Sequence, residues 1–201
     1  MNLLMYIYCF KKYLRETHPD YKLRKLWVGY TLIAFNAWIC SSIFHTRDLL
    51  VTERLDYFGA TLSVFYGVVC AVTRVMNLRK EPAIAFGLLM LILLVVHVGY
   101  LNFVDFDYGW NMTVTASMGV LSNIIWIGWS IKTKRKYCWK GVTAILLVST
   151  FMLLELGDFQ PIYDILDAHS IWHLSTVPLI YVWYSFLIDD ANYETFRPKI
   201  H

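Results

Sequence analysis

The sequence predicts an all-α, polytopic transmembrane helical bundle forming a single domain over residues 1–201, and three observations predict it. Hydrophobic residues fill 58% of the 201 positions, and the mean hydropathy is +0.48. Six runs carry no Asp, Glu, Lys or Arg: 26–46, 57–73, 82–104, 108–131, 141–154 and 168–188. The basic residues between them alternate in a way that only repeated membrane crossing explains. Five runs, 17 to 24 residues long, reach across ~30 Å of hydrocarbon as helices rising ~1.5 Å per residue. A buried soluble core accounts for one such run; six leave too little chain for a polar surface, and in lipid the backbone must satisfy itself as helix.

Residues 1–10 (MNLLMYIYCF) are apolar but too short to span, and their basic residues follow rather than precede them. That order does not fit a signal peptide. The segment reads either as the end of a first span whose beginning is absent or as an interfacial stub. Allowing for interfacial residues, the spans expected next are 26–46, 56–74, 82–104, 108–131, 141–157 and 167–188. The fifth is short unless Glu155 lies near the interface.

Lys11, Lys12, Arg15, Lys22, Arg24 and Lys25 precede the first complete span, and Arg74, Arg79 and Lys80 follow the second. Lys132, Lys134, Arg135, Lys136 and Lys140 follow the fourth, with Arg197 and Lys199 in the tail. Alternate crossings put all of these on one face, leaving only Arg47 and Arg54 on the other. Positive-inside bias makes the crowded face cytoplasmic. The opposite loops are acidic, with Asp48 and Glu53, Asp105 and Asp107, then Asp158 and Asp164.

Other features are bland. Cys9, Cys40, Cys70 and Cys138 show no disulfide or thiolate-zinc spacing and read as small apolar fillers. The basic loop 132–140 suits anionic lipid rather than nucleic acid. Asn111-Met-Thr is a formal glycosylation sequon, discounted because it abuts the membrane. His97, in mid-span, reads as an interhelical hydrogen-bonding residue, and the tryptophans as span-end anchors or packing. Pro178 is expected to bend the last helix. Asn36, Glu155, Asp158 and Asp167 read as interfacial or supporting polar residues.

Ionisable groups at membrane depth are costly, and several brought to one level mark a site. Ser41 and His45 fall at the luminal end of span 26–46, and Asp56 opens the returning span at the same level. His169 and His173 sit in the first turns of the last span, on the same side. Residues four apart share a helix face, ~6 Å apart along the axis, so this histidine pair can point at one ion. With His45 as a third ligand, three neutral imidazoles and an open position form the catalytic zinc pattern. Water bound there becomes hydroxide near neutral pH and can attack an acyl carbonyl. Asp56 can accept the water's proton, orient a ligand histidine or close the site as a fourth ligand. Ser41 can donate a hydrogen bond to the oxyanion.

These residues also carry a resemblance. Asn36-Ala-Trp-Ile-Cys-Ser41-Ser-Ile-Phe-His45-Thr-Arg-Asp48, then Glu53-Arg-Leu-Asp56-Tyr-Phe, resembles the signature of the Per1-like post-GPI-attachment phospholipases. So do Phe106-Asp-Tyr-Gly109 and Leu166-Asp-Ala-His169-Ser-Ile-Trp-His173-Leu-Ser-Thr. That family lies within the CREST superfamily of membrane hydrolases, beside the alkaline ceramidases and adiponectin-type receptors. The resemblance runs along the whole chain and implies a seven-helix fold, here with an incomplete first helix and without the family's luminal N-terminal region. It implies zinc on His45, His169 and His173, with Asp56 and Ser41 as catalytic partners. It further implies removal of the sn-2 acyl chain from GPI-anchored proteins in the Golgi or endoplasmic reticulum. Two other readings stay open: a ceramidase-like amidase using the same metal, and a receptor or chaperone in which zinc only ties helices together.

Overall fold

The computed structural model describes residues 1–157, 159, 161–162 and 167–196, with residues 154–156 described by backbone alone. The expectations for Glu155, Asp158, Asp164, Arg197 and Lys199 therefore fall outside the described side chains. Seven helices form among the described residues, and no strand. They are α1 Asn2–Glu16, α2 Arg24–Thr46, α3 Leu50–Val75, α4 Lys80–Phe103, α5 Tyr108–Thr133, α6 Cys138–Leu156 and α7 Ala168–Phe196. Five of them, α2 to α5 and α7, are long and apolar enough to cross a membrane. The shorter α6 has an apolar stretch over Cys138–Leu153. The chain divides into two compact units, one of Met1–Arg24 with Ser130–His201 and the other of Lys25–Trp129.

In the first unit α7 packs against both α1 and α6. Helix α1 buries Asn2, Tyr6, Cys9 and Tyr13, a stripe at three- and four-residue intervals that covers one helical face. Tyr6 and Tyr13 place their ring edges on Tyr184 of α7, with centroids 6.0 and 6.4 Å apart, a favoured aromatic geometry. The N-terminal apolar segment is thus a packed helix that runs on through Lys11, Lys12 and Arg15. Helix α6 meets α7 where Gly141 faces the Phe186 ring. A Cβ at Gly141 would lie 3.1 Å from that ring, so only glycine gives this approach without displacement.

Helix α7 continues to Phe196, eight residues past the expected end at 188. Its extra turns carry Asp189, Asp190 and Glu194, residues that in sequence look like the start of a polar tail. Tertiary pairing keeps them helical. The Lys140 ammonium donates to Asp189 Oδ2 at 2.6 Å, and the Arg135 guanidinium donates to Glu194 Oε1 at 2.7 Å. The Tyr137 hydroxyl donates to Asp190 Oδ1 at 2.7 Å. Burial and the neighbouring Asp190 carboxylate push the Tyr137 phenol well above its ordinary value, which keeps it protonated as the donor.

In the second unit α3 packs along α4 around Phe65, Val68, Val69, Met90 and Leu94. Helix α3 starts at Leu50, six residues before the expected boundary. The Thr52 hydroxyl accepts the Leu49 amide at 3.0 Å, satisfying a donor that a helix start leaves open. Mid-span polar residues are spent on one another. His97 Nε2 lies 3.0 Å from Asn111 Oδ1, which also accepts from the Thr61 hydroxyl at 3.2 Å. His97 therefore makes the interhelical hydrogen bond expected of it. Asn111, buried in this network, is closed to a glycan.

Candidate functional site

The first unit holds the histidine pair. Helix α7 begins just after Asp167, whose backbone N–H donates to Ser170 Oγ at 3.1 Å while its carboxylate accepts the Ser170 amide at 2.7 Å. This reciprocal capping satisfies the first orphan donors of α7 and sets where the helix begins. With that start, His169 and His173 fall on one face. Their Nε2 atoms are 2.8 Å apart and both rings are half-buried. One further contact holds the second ring's backbone: the Asn2 amide of α1 donates to the His173 carbonyl and to Thr176 Oγ1, both at 3.2 Å. Sequence reasoning missed Asn2, although it is the only strongly polar side chain in the first ten residues.

The pair fits a metal of the zinc class. Two imidazole nitrogens on a tetrahedral zinc at ~2.0–2.1 Å stand ~3.3 Å apart, so the rings need open by only ~0.5 Å from where they are.

The second unit holds the remaining candidates. Ser41 is buried in the last turns of α2, and His45 is exposed at its end with its ring 5.2 Å from Phe44. Helix α3 returns against α2 through Gly59. A Cβ there would stand 3.4 Å from the Ala37 Cα and 3.8 Å from the Cys40 Cβ. Asp56, one turn before Gly59, is half-buried, and its carboxylate acts electrostatically on Cys40. The antiparallel register carries Asp56 to the level of Ser41. Around this end the Tyr57 ring stacks on Phe106 and lies close to Phe44 and Tyr108. Residues of three of the sequence motifs thus share one aromatic cluster.

The Gly59 contact sets the spacing of the two helices. Gly59→Ala adds one methyl in ordinary contact and is expected to leave stability within ~1 kcal/mol. Gly59→Leu has no room and is expected to cost ~1–3 kcal/mol by overpacking. Thermal unfolding of the purified pair in detergent measures the difference.

Helices long enough to span a membrane, paired histidines at the start of the last one, and a buried serine and a half-buried aspartate on two others define a class: helical membrane proteins with histidine and carboxylate side chains near helix ends. The Per1-like family model matches residues 1–191, and the chain belongs to that family. It is 43% identical to the GPI-specific phospholipase A2-like PGAP3 of Danio rerio, over 81% of this chain and 52% of that protein. Identity to the Homo sapiens protein of the same name is 39%, over 83% and 53%. With the PER1 homolog of Schizosaccharomyces pombe it is 35%, over 94% and 61%. The chain spans about half the length of most of these relatives. No solved structure matches it.

Proposed function

We propose that this protein is a GPI-anchor lipid-remodelling hydrolase of the phospholipase A2 type, with zinc held by His45, His169 and His173. The observation that carries the reading is the convergent His169–His173 nitrogen pair in a Per1-like chain. The relatives' names supply the substrate class, the lipid of GPI-anchored proteins.

When bound, zinc supplies Lewis acidity, polarising an acyl carbonyl and acidifying water to near neutrality. The chain's own groups do the rest. Asp56 accepts the proton of the attacking water as its oxygen forms a bond to the sn-2 carbonyl carbon. Ser41 donates a hydrogen bond to the carbonyl oxygen as negative charge develops there. When the ester C–O bond breaks, the lysolipid alkoxide takes the proton back from Asp56 and the fatty acid departs. The depth expected of these residues from the sequence suits an ester that lies just below the headgroups. The reading places the protein in the Golgi or endoplasmic reticulum, with the site facing the lumen and the C-terminus in the cytoplasm.

The test is mass spectrometry of GPI-anchor lipids in cells lacking their own remodelling phospholipase. The cells express the full chain or His169→Ala at matched abundance. Loss of the sn-2 chain with the former and its retention with the latter is the expected result. An unchanged lipid profile with both overturns the proposal.

A further inference from the structure

We propose that a groove on the second unit, between α3 and α4, binds one anionic phospholipid, with its phosphate on Arg54 and an acyl chain along the apolar floor. The groove encloses about 550 Å³ and is lined by Arg54, Phe58 and Leu62 of α3 and by two stripes of α4 that include Leu94, Gly99 and Asn102. That volume lies within the ~300–1,000 Å³ of ordinary ligand pockets. Arg54, Phe58 and Leu62 follow one another at four-residue intervals, so the groove runs ~12 Å along the helix. That length is most of the ~15 Å hydrocarbon depth of a single leaflet. One end is polar and the rest apolar, as in a lipid.

An all-apolar furrow would be filled by any neighbouring chain. Arg54 makes this one selective. Its guanidinium Nη1 donates to Asn102 Oδ1 at 2.8 Å, and its centre stands 4.9 Å over the Phe106 ring. Asn102 is held in turn by its own amide donating to the Val98 carbonyl at 2.8 Å. The side chain is therefore fixed at the groove mouth. Its Nε is buried with no hydrogen-bond partner, and among the described residues no carboxylate pairs with it. A partly desolvated cation without an anion is costly, and a fixed guanidinium fork matches phosphate oxygens. Gly99 keeps the floor open, since a Cβ there meets nothing within 4 Å.

The experiment is native mass spectrometry of the full chain in detergent with equal phosphatidylglycerol and phosphatidylcholine. Wild type is expected to retain one phosphatidylglycerol in preference to phosphatidylcholine. Arg54→Gln should lower that retention by about tenfold, the effect of losing a charge-assisted pair. Gly99→Phe, which fills the groove from an open position, should lower it as far while leaving the lipid-free melting temperature unchanged. His169→Ala should retain lipid as wild type does. Equal retention of the two lipids, or undiminished retention in Gly99→Phe, overturns the proposal. So does loss of lipid in His169→Ala, which would assign the binding to the histidine site.

Discussion

Replacing Asp56 with Ala is expected to lower lipid turnover by about 10²–10⁴-fold, the contribution of a positioned general base, while zinc content stays near that of wild type. Asp56 sits on α3 one turn from the Gly59 contact, so truncating it removes a carboxylate and leaves the α2–α3 spacing intact. Turnover read from GPI-lipid mass spectra and zinc read by elemental analysis of the same purified protein make a two-way measurement. Lost turnover with zinc retained supports a base. Lost zinc and a collapsed melting transition would instead make Asp56 a closing fourth ligand, favouring the non-catalytic receptor or chaperone reading.

Asp190→Ala is expected to destabilise the first unit by ~3 kcal/mol. The carboxylate is 1% exposed and accepts from the Tyr137 hydroxyl at 2.7 Å, with Arg135 Nη1 3.5 Å away. Its removal strips the half-buried Tyr137 hydroxyl of its acceptor and Arg135 of a carboxylate neighbour. Breaking a buried charge pair costs ~3–5 kcal/mol, and the lower end applies because Glu194 still holds Arg135 at 2.7 Å. Asp190→Asn also loses the charge facing Arg135 but keeps the side-chain volume and an acceptor for Tyr137, so it should cost less than Ala by ~1 kcal/mol, the worth of that hydrogen bond. Detergent-phase thermal unfolding of the two variants against wild type checks both magnitudes. If Ala and Asn lose the same amount, the hydrogen bond to Tyr137 contributes nothing and the charge alone matters.

Most of the helix positions are legible because hydrophobic runs are long-range averages that survive local error. Boundaries were less so. In sequence Glu53 and Arg54 read as loop ahead of a span opening at 56, whereas the helix starts at Leu50 and Asn102 and Phe106 receive the Arg54 guanidinium. The charge-free run likewise ends at 188, whereas α7 continues to Phe196 with its carboxylates on Arg135 and Lys140. Charge in a sequence signals exposure unless a partner is in view, and partners 50 residues away are not.

By itself the sequence determined the all-helical class, the rough placement of the apolar helices, and the His169–His173 spacing, because each depends on periodicity or spacing within one helix. Ser41, His45 and Asp56 are legible as residue types near the ends of their helices. Only the tertiary structure decided that Asn2 holds the His173 carbonyl, that Gly59 lets α3 carry Asp56 to the level of Ser41, and that Arg54 is fixed at a groove mouth with no carboxylate on it among the described residues. Those facts join residues on different helices, where rotation and register about each helix axis, set by packing, choose which side chains meet.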